Sequence, residues 1–139
     1  MIKIIKILFL TILISNPLFA KNQYFQEGVD FFKSKKFQKA KFKFEQDIVN
    51  NPKSELSYLY LSKIFNNLDK KNLEEQNLNT VILLNPKNEE ATFNLAKLKL
   101  ETSDYDKSKE LNDRLITFCS KFCDKSNKLK IKIENLSKK

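Results

Sequence analysis

Pro52 and Pro86 lie 34 residues apart, each inside an Asn-Pro-Lys and each at the end of an apolar stretch. The same 34-residue step separates Tyr24 from Tyr58 and Phe31 from Phe65, and it joins Gly28, Ser62 and Ala96. Proline cannot continue a helix, and the residue before it is pushed out of helical geometry, so each proline is a physical stop. A fixed period of this length belongs to stacked helix-turn-helix units that bury a continuous core only by packing on their neighbours. It points to a binding surface rather than a reaction centre.

Between the stops the apolar residues recur at three and four, the helical period. Tyr24, Phe25, Gly28, Val29, Phe31 and Phe32 make a first helix, and Phe37, Ala40, Phe44 and Ile48 a second, with Ser34-Lys35-Lys36 as the polar break. A second unit repeats the plan on either side of Asp69-Lys70-Lys71-Asn72, and a third does so around Ser103-Asp104, where an aspartate can cap the next helix. Repeats are expected at about 21–54, 55–88 and 89–122. A capping helix at about 124–137 then follows, with Leu129, Ile133 and Leu136 inward and Lys128, Lys130, Lys132 and Lys138 outward. An array needs such a cap to hide its last open face. Gly28 costs about 1 kcal/mol inside a helix. Its retention implies close packing, for which Ala40 is the expected partner.

The first twenty residues read as a separate object. Lys3 and Lys6 precede the apolar run Ile7–Ile14, Asn16-Pro17 breaks it, and Leu18-Phe19-Ala20 ends on a small residue. This is a secretory signal pattern. It is expected to be cleaved to leave Lys21–Lys139 as one domain exported to a bacterial periplasm. An uncleaved segment tethering the chain to a membrane is the alternative.

Several classes of function are excluded by what the chain lacks. It has no histidine and a single glycine, Gly28. The commonest general base and metal ligand are therefore missing, as is any glycine-rich phosphate loop. Two cysteines without histidine do not make a four-ligand zinc site. No catalytic residue, metal or cofactor is expected. The net charge is +9, but only Arg114 among the 26 basic residues is an arginine, and the lysines are spread along the chain. Phosphate recognition favours the arginine fork. The abundance of Asn, Ile, Phe and Lys matches an A/T-rich genome, so nucleic acid is not an expected partner. Glu74-Glu75, Glu89-Glu90 and Asp104–Asp106 fall in turns or first helical turns, where the helix dipole favours acids.

Taken together, Tyr24, Gly28, Phe31, Ala40, Phe44 and Pro52 in the first unit, with Tyr58, Leu61-Ser62, Phe65, Leu78 and Pro86 in the second, resemble the tetratricopeptide repeat (TPR) pattern. The third unit carries it in Leu95-Ala96, Tyr105 and Ser108, and the resemblance covers about Lys21 to Ser120. Glu27 stands in place of the family's leucine, Lys71 in place of an aromatic, Glu74 in place of an alanine, and Lys99 in place of the third unit's second aromatic.

The resemblance implies an all-α, right-handed superhelical array of about three hairpins plus a cap, and a non-catalytic scaffold that binds another protein. The first helix of each hairpin would line a concave groove. By register the groove residues are Phe25, Val29, Phe32, Lys33, Leu59, Lys63, Asn66, Phe93, Lys97 and Leu100. Apolar residues with lysines suit a peptide or helix of acidic or amphipathic character. The sites where family members grip a C-terminal carboxylate hold Phe25, Val29, Tyr60, Glu90 and Asn94 here, so a clamp of that design is not expected.

Cys119 and Cys123, at the end of the third hairpin, are four residues apart. In an exported chain they read as a disulfide staple for the cap. Free thiols and a thiol-redox or folding-helper role are the alternatives, although redox pairs usually keep the shorter Cys-x-x-Cys spacing.

Overall fold

The computed structural model describes residues 17–137, with side chains from residue 23 onward. Among them are seven helices and no strand: α1 Pro17–Lys33, α2 Phe37–Asn50, α3 Glu55–Asn67, α4 Lys71–Leu84, α5 Glu89–Glu101, α6 Tyr105–Ile116 and α7 Cys123–Leu136. Helices α1/α2, α3/α4 and α5/α6 pair as hairpins, successive hairpins stack, and α7 closes the array against α5 and α6. Most of the segment expected to be a signal peptide, residues 1–16, lies outside the described residues, as does Lys138. Pro17 opens α1, which runs on across the Ala20–Lys21 junction. Proline suits that first position because its missing N–H would have no helical partner there. Among the described residues no helix is long and apolar enough to cross a membrane.

The 34-residue period extends to the backbone. Lys35, Asp69 and Ser103 are 34 apart, and each adopts a left-handed conformation, with φ of 56°, 51° and 62°. Each ends the first helix of its hairpin. In all three the next amide reaches back to close the last turn: Lys36 N–H to Phe31 O at 2.9 Å, Lys70 to Phe65 at 2.9 Å and Asp104 to Lys99 at 2.8 Å. This is a Schellman-type stop, usually built on glycine. The chain makes it three times without one.

Two clusters form the core. One joins Val29, Ala40, Phe44, Leu61, Ile64 and Phe65 across α1–α3, and the other runs from Leu59 and Leu78 through Leu95 and Leu111 to Leu129 and Ile133. Helix α3 divides its residues between them. Gly28 is buried, and the group nearest it is the Phe44 ring rather than the expected Ala40. A Cβ built on Gly28 would lie 2.7 Å from Phe44 Cε1, so the glycine makes room for a fully buried ring. Phe44 lies one helical turn beyond the expected Ala40, and its long side chain reaches back to fill the space nearest the glycine.

Carboxylates tie each loop to the next hairpin. Glu55 and Glu89 are 34 apart and open α3 and α5. Glu55 Oε1 accepts from the side-chain amides of Asn85 and Asn88, and Glu89 accepts from Ser120 Oγ (2.7 Å) and the Lys121 and Phe122 amides (2.8 and 2.9 Å). In the first loop buried Asp47 does the same work for Ser54 and Ser57. Lys99, at the missing aromatic site, keeps its stem largely buried and pairs with Glu75 at 2.7 Å.

Candidate functional site

The first helices of the hairpins, α1, α3 and α5, contribute to two adjoining concavities. The first, of about 380 Å³, is lined by Phe32 of α1, by Lys63, Asn66 and Asn67 of α3, by Glu74 of α4, and by Glu90, Asn94, Lys97 and Glu101 of α5. The second, of about 570 Å³, lies between α5 and α7 and shares Asn94, Lys97 and Glu101 with it. Its apolar surface is Phe93, Leu100 and Leu136 over the buried Leu129, and its charged residues are Lys97, Lys125, Lys128, Lys132 and Glu101.

Of the groove residues expected from the sequence, Phe32, Lys63, Asn66, Phe93, Lys97 and Leu100 line these concavities. Lys33 is exposed but lines neither. Val29 and Leu59 require correction. They are 8% and 4% exposed and belong to the two core clusters, so they offer no groove surface. Their positions share the inward arc of α1 and α3, and a helical period alone does not separate core from concave rim.

Phe25 is also taken up by packing. Tyr60 stacks on Phe44 with centroids 4.9 Å apart, and Phe25 and Phe32 meet its edge at 5.8 and 5.1 Å. These rings fill the space between the first two hairpins. Lys63 Nζ lies 5.0 Å over the Tyr60 ring and pairs with Glu90 at 2.8 Å. Of the clamp positions, Phe25, Val29 and Tyr60 are therefore aromatic or apolar packing and Glu90 is ion-paired.

The sequence reading missed the contribution of α7. Lys125, Lys128 and Lys132 follow an i, i+3, i+7 step on one helix face, a periodicity that was available in the sequence. Their place beside the groove follows only from how α7 docks. None of the three makes an ion pair among the described residues; Lys125 Nζ sits 4.5 Å over the Phe122 ring, which in turn packs on Phe93 at 5.5 Å. Phe122 is held by its place between Cys119 and Cys123, whose sulfurs are at bonding distance, 2.05 Å, with Cα atoms 5.3 Å apart.

Glu74 was missed as well. It is 5% exposed, and both its oxygens accept from the one Asn66 amide at 3.1 Å. Burial pushes its carboxyl above the usual carboxylate range, and the Asn66 hydrogen bond pulls the other way. Acidic side chains in a first helical turn are ordinarily solvated, and only the packed hairpin shows this one inside.

No protein-family model matches the sequence, and no curated protein matches it. Solved structures do. The chain is similar to the TPR2B domain of yeast Sti1, in a structure described as a complex with pHsp70 (TM-score 0.77, 16% identity, 84% of this chain and 97% of that one). It is similar to the Yersinia enterocolitica type III secretion chaperone SycD in complex with a peptide of the translocator YopD (0.77, 14%, 85% and 94%). It is also similar to the Sgt2 TPR domain from Aspergillus fumigatus (0.73, 17%, 86% and 83%). The chain thus has the TPR fold: three repeats and a capping helix.

Proposed function

We propose that this chain is a non-catalytic protein-interaction scaffold or adaptor of a bacterial cell envelope. It is exported by residues 1–20 and works from Lys21 onward in the periplasm. Its concave face, chiefly the α5–α7 groove, holds a peptide or helix of another protein. The observation that carries this reading is an apolar groove with three lysines, Lys125, Lys128 and Lys132, that no acid among the described residues pairs with. Apolar side chains on the partner would fill it, and acidic ones would meet Lys125, Lys128 and Lys132. Structural neighbours described as complexes, with pHsp70 for Sti1 and with a YopD peptide for SycD, support the reading by analogy of fold. An oxidised Cys119–Cys123 pair fits an exported chain and fixes the loop that carries Phe122.

The test is recovery of envelope proteins on the immobilised mature chain, wild type against K128E/K132E. Both lysines are exposed, so the variant should fold and lose at least tenfold of the captured partner, and wild-type capture should fade with salt. Equal capture by the variant places binding elsewhere. Export is checked by N-terminal sequencing of the native protein, where Lys21 as the first residue is expected and a retained Met1 in the membrane fraction favours the tethered form.

A further inference from the structure

We infer that the concavity around Glu74 is a subsite for a lysine or arginine side chain of the bound segment. The inference rests on the groove reading above and adds polarity to it. Ala40, Glu74 and Ser108 are 34 apart and occupy the same slot of the three hairpins. Ala40 and Ser108 are fully buried there, and the first and third hairpins close on small side chains without any carboxylate. The fold therefore does not need an acid in this slot. The second hairpin nevertheless buries one and turns its head toward Asn66 and the concave face.

The other two acids of the concavity have cations: Glu90 pairs with Lys63 at 2.8 Å and Glu101 with Lys97 at 3.3 Å. Glu74 has none. Three carboxyl groups line the concavity with two ammonium groups, and the one without an ion-pair partner is the one furthest from water. A charge in that position is costly until an opposite charge joins it. A metal ion is a poor candidate, because among the described residues no three Cys, Asp, Glu or His converge. A side-chain ammonium or guanidinium entering from the groove meets the Glu74 carboxylate as acceptor. The neighbouring α5–α7 groove is basic and apolar. The bound segment would therefore carry a basic residue at its α3–α4 end and acidic and apolar residues over α7. An anionic membrane fits this arrangement poorly, since one end of the surface would repel it.

The test uses N-acetyl-lysine methylamide as the probe, with the norleucine analogue as control, and follows the Asn66 side-chain amide and the Glu74 carboxyl carbon by NMR. The lysine probe should give a saturable shift of both signals, the norleucine probe none, and E74Q should weaken the response at least fivefold. E74Q keeps the shape and an acceptor for Asn66, so its Tm should equal or exceed that of the wild type. K128E/K132E, which bears on the groove reading alone, should leave the probe response intact. Equal shifts with norleucine, a response that survives E74Q, a response lost in K128E/K132E, or a Tm lowered by E74Q would each overturn the assignment.

Discussion

Gly28 shows how much one missing side chain contributes here. In Gly28→Ala the new methyl meets the Phe44 ring, which is itself stacked on Tyr60 and has no free side to move into. Overpacking of this kind costs about 1–3 kcal/mol, while helix propensity returns up to about 1 kcal/mol. The expected net effect is a loss of about 1–2 kcal/mol in denaturant unfolding. An unchanged midpoint would mean that the ring yields freely. The left-handed stops predict the opposite sign. Lys35→Gly and Ser103→Gly remove the Cβ penalty at exposed turn positions and should each stabilise by about 0.5–1 kcal/mol. Asp69→Gly should gain less, because aspartate tolerates that conformation better.

At the scale of elements, the loop clasps make a pH prediction. The Ser120 hydroxyl above all, and with it the backbone amides of Ser120, Lys121 and Phe122, hold the Glu89 carboxyl down at about 2, against an ordinary value of 4.5. Its folded value is depressed, so its contribution is complete above about 4.5 and is lost as pH falls toward about 2. Wild type should lose stability through that window, and Glu89→Gln should flatten this part of the profile in urea titrations at stepped pH. The same loop holds Cys119 and Cys123. The closed loop is short, so Cys119→Ser/Cys123→Ser should fold and lose at most about 2–3 kcal/mol. Loss of biological activity with stability and partner capture intact would bring the thiol-redox reading forward.

The hairpins, their turns and the cap were legible because proline stops and helical periodicity act locally. The clasps and the Glu74 slot were not, because Glu89 and Glu74 look like ordinary first-turn acids until a segment distant in sequence arrives to bond or bury them. The groove was half legible: Phe93, Lys97 and Leu100 follow from register on α5, whereas α7's share depends on the angle at which the cap docks.

At the scale of the whole molecule, α3 contributes to both core clusters, and among the described residues the main packing of each hairpin is against its neighbours. Stability in such an array is close to a sum of local units and their interfaces. Phe32 and Phe93 both lie on first helices, but at different places in the 34-residue register, where Phe93 matches Phe25 and Phe32 matches Leu100, and they belong to different units. Phe32 is wedged against Phe37 and Tyr60 in the N-terminal cluster, and Phe93 lines the groove against Phe122. Phe32→Ala should therefore open the N-terminal half, lowering hydrogen-exchange protection in α1–α3 while α6 and α7 keep theirs. Its partner capture should fall little at temperatures where α5–α7 remain folded. Phe93→Ala should do the reverse, leaving α1–α3 protected and weakening capture, because a groove aromatic carries a large share of an interface's energy. Residue-resolved exchange on the two single variants, with capture measured on the same samples, checks both halves. Uniform loss of protection in either variant would show that the array unfolds as one unit, and capture that follows Phe32 rather than Phe93 would move the binding face to the first hairpin.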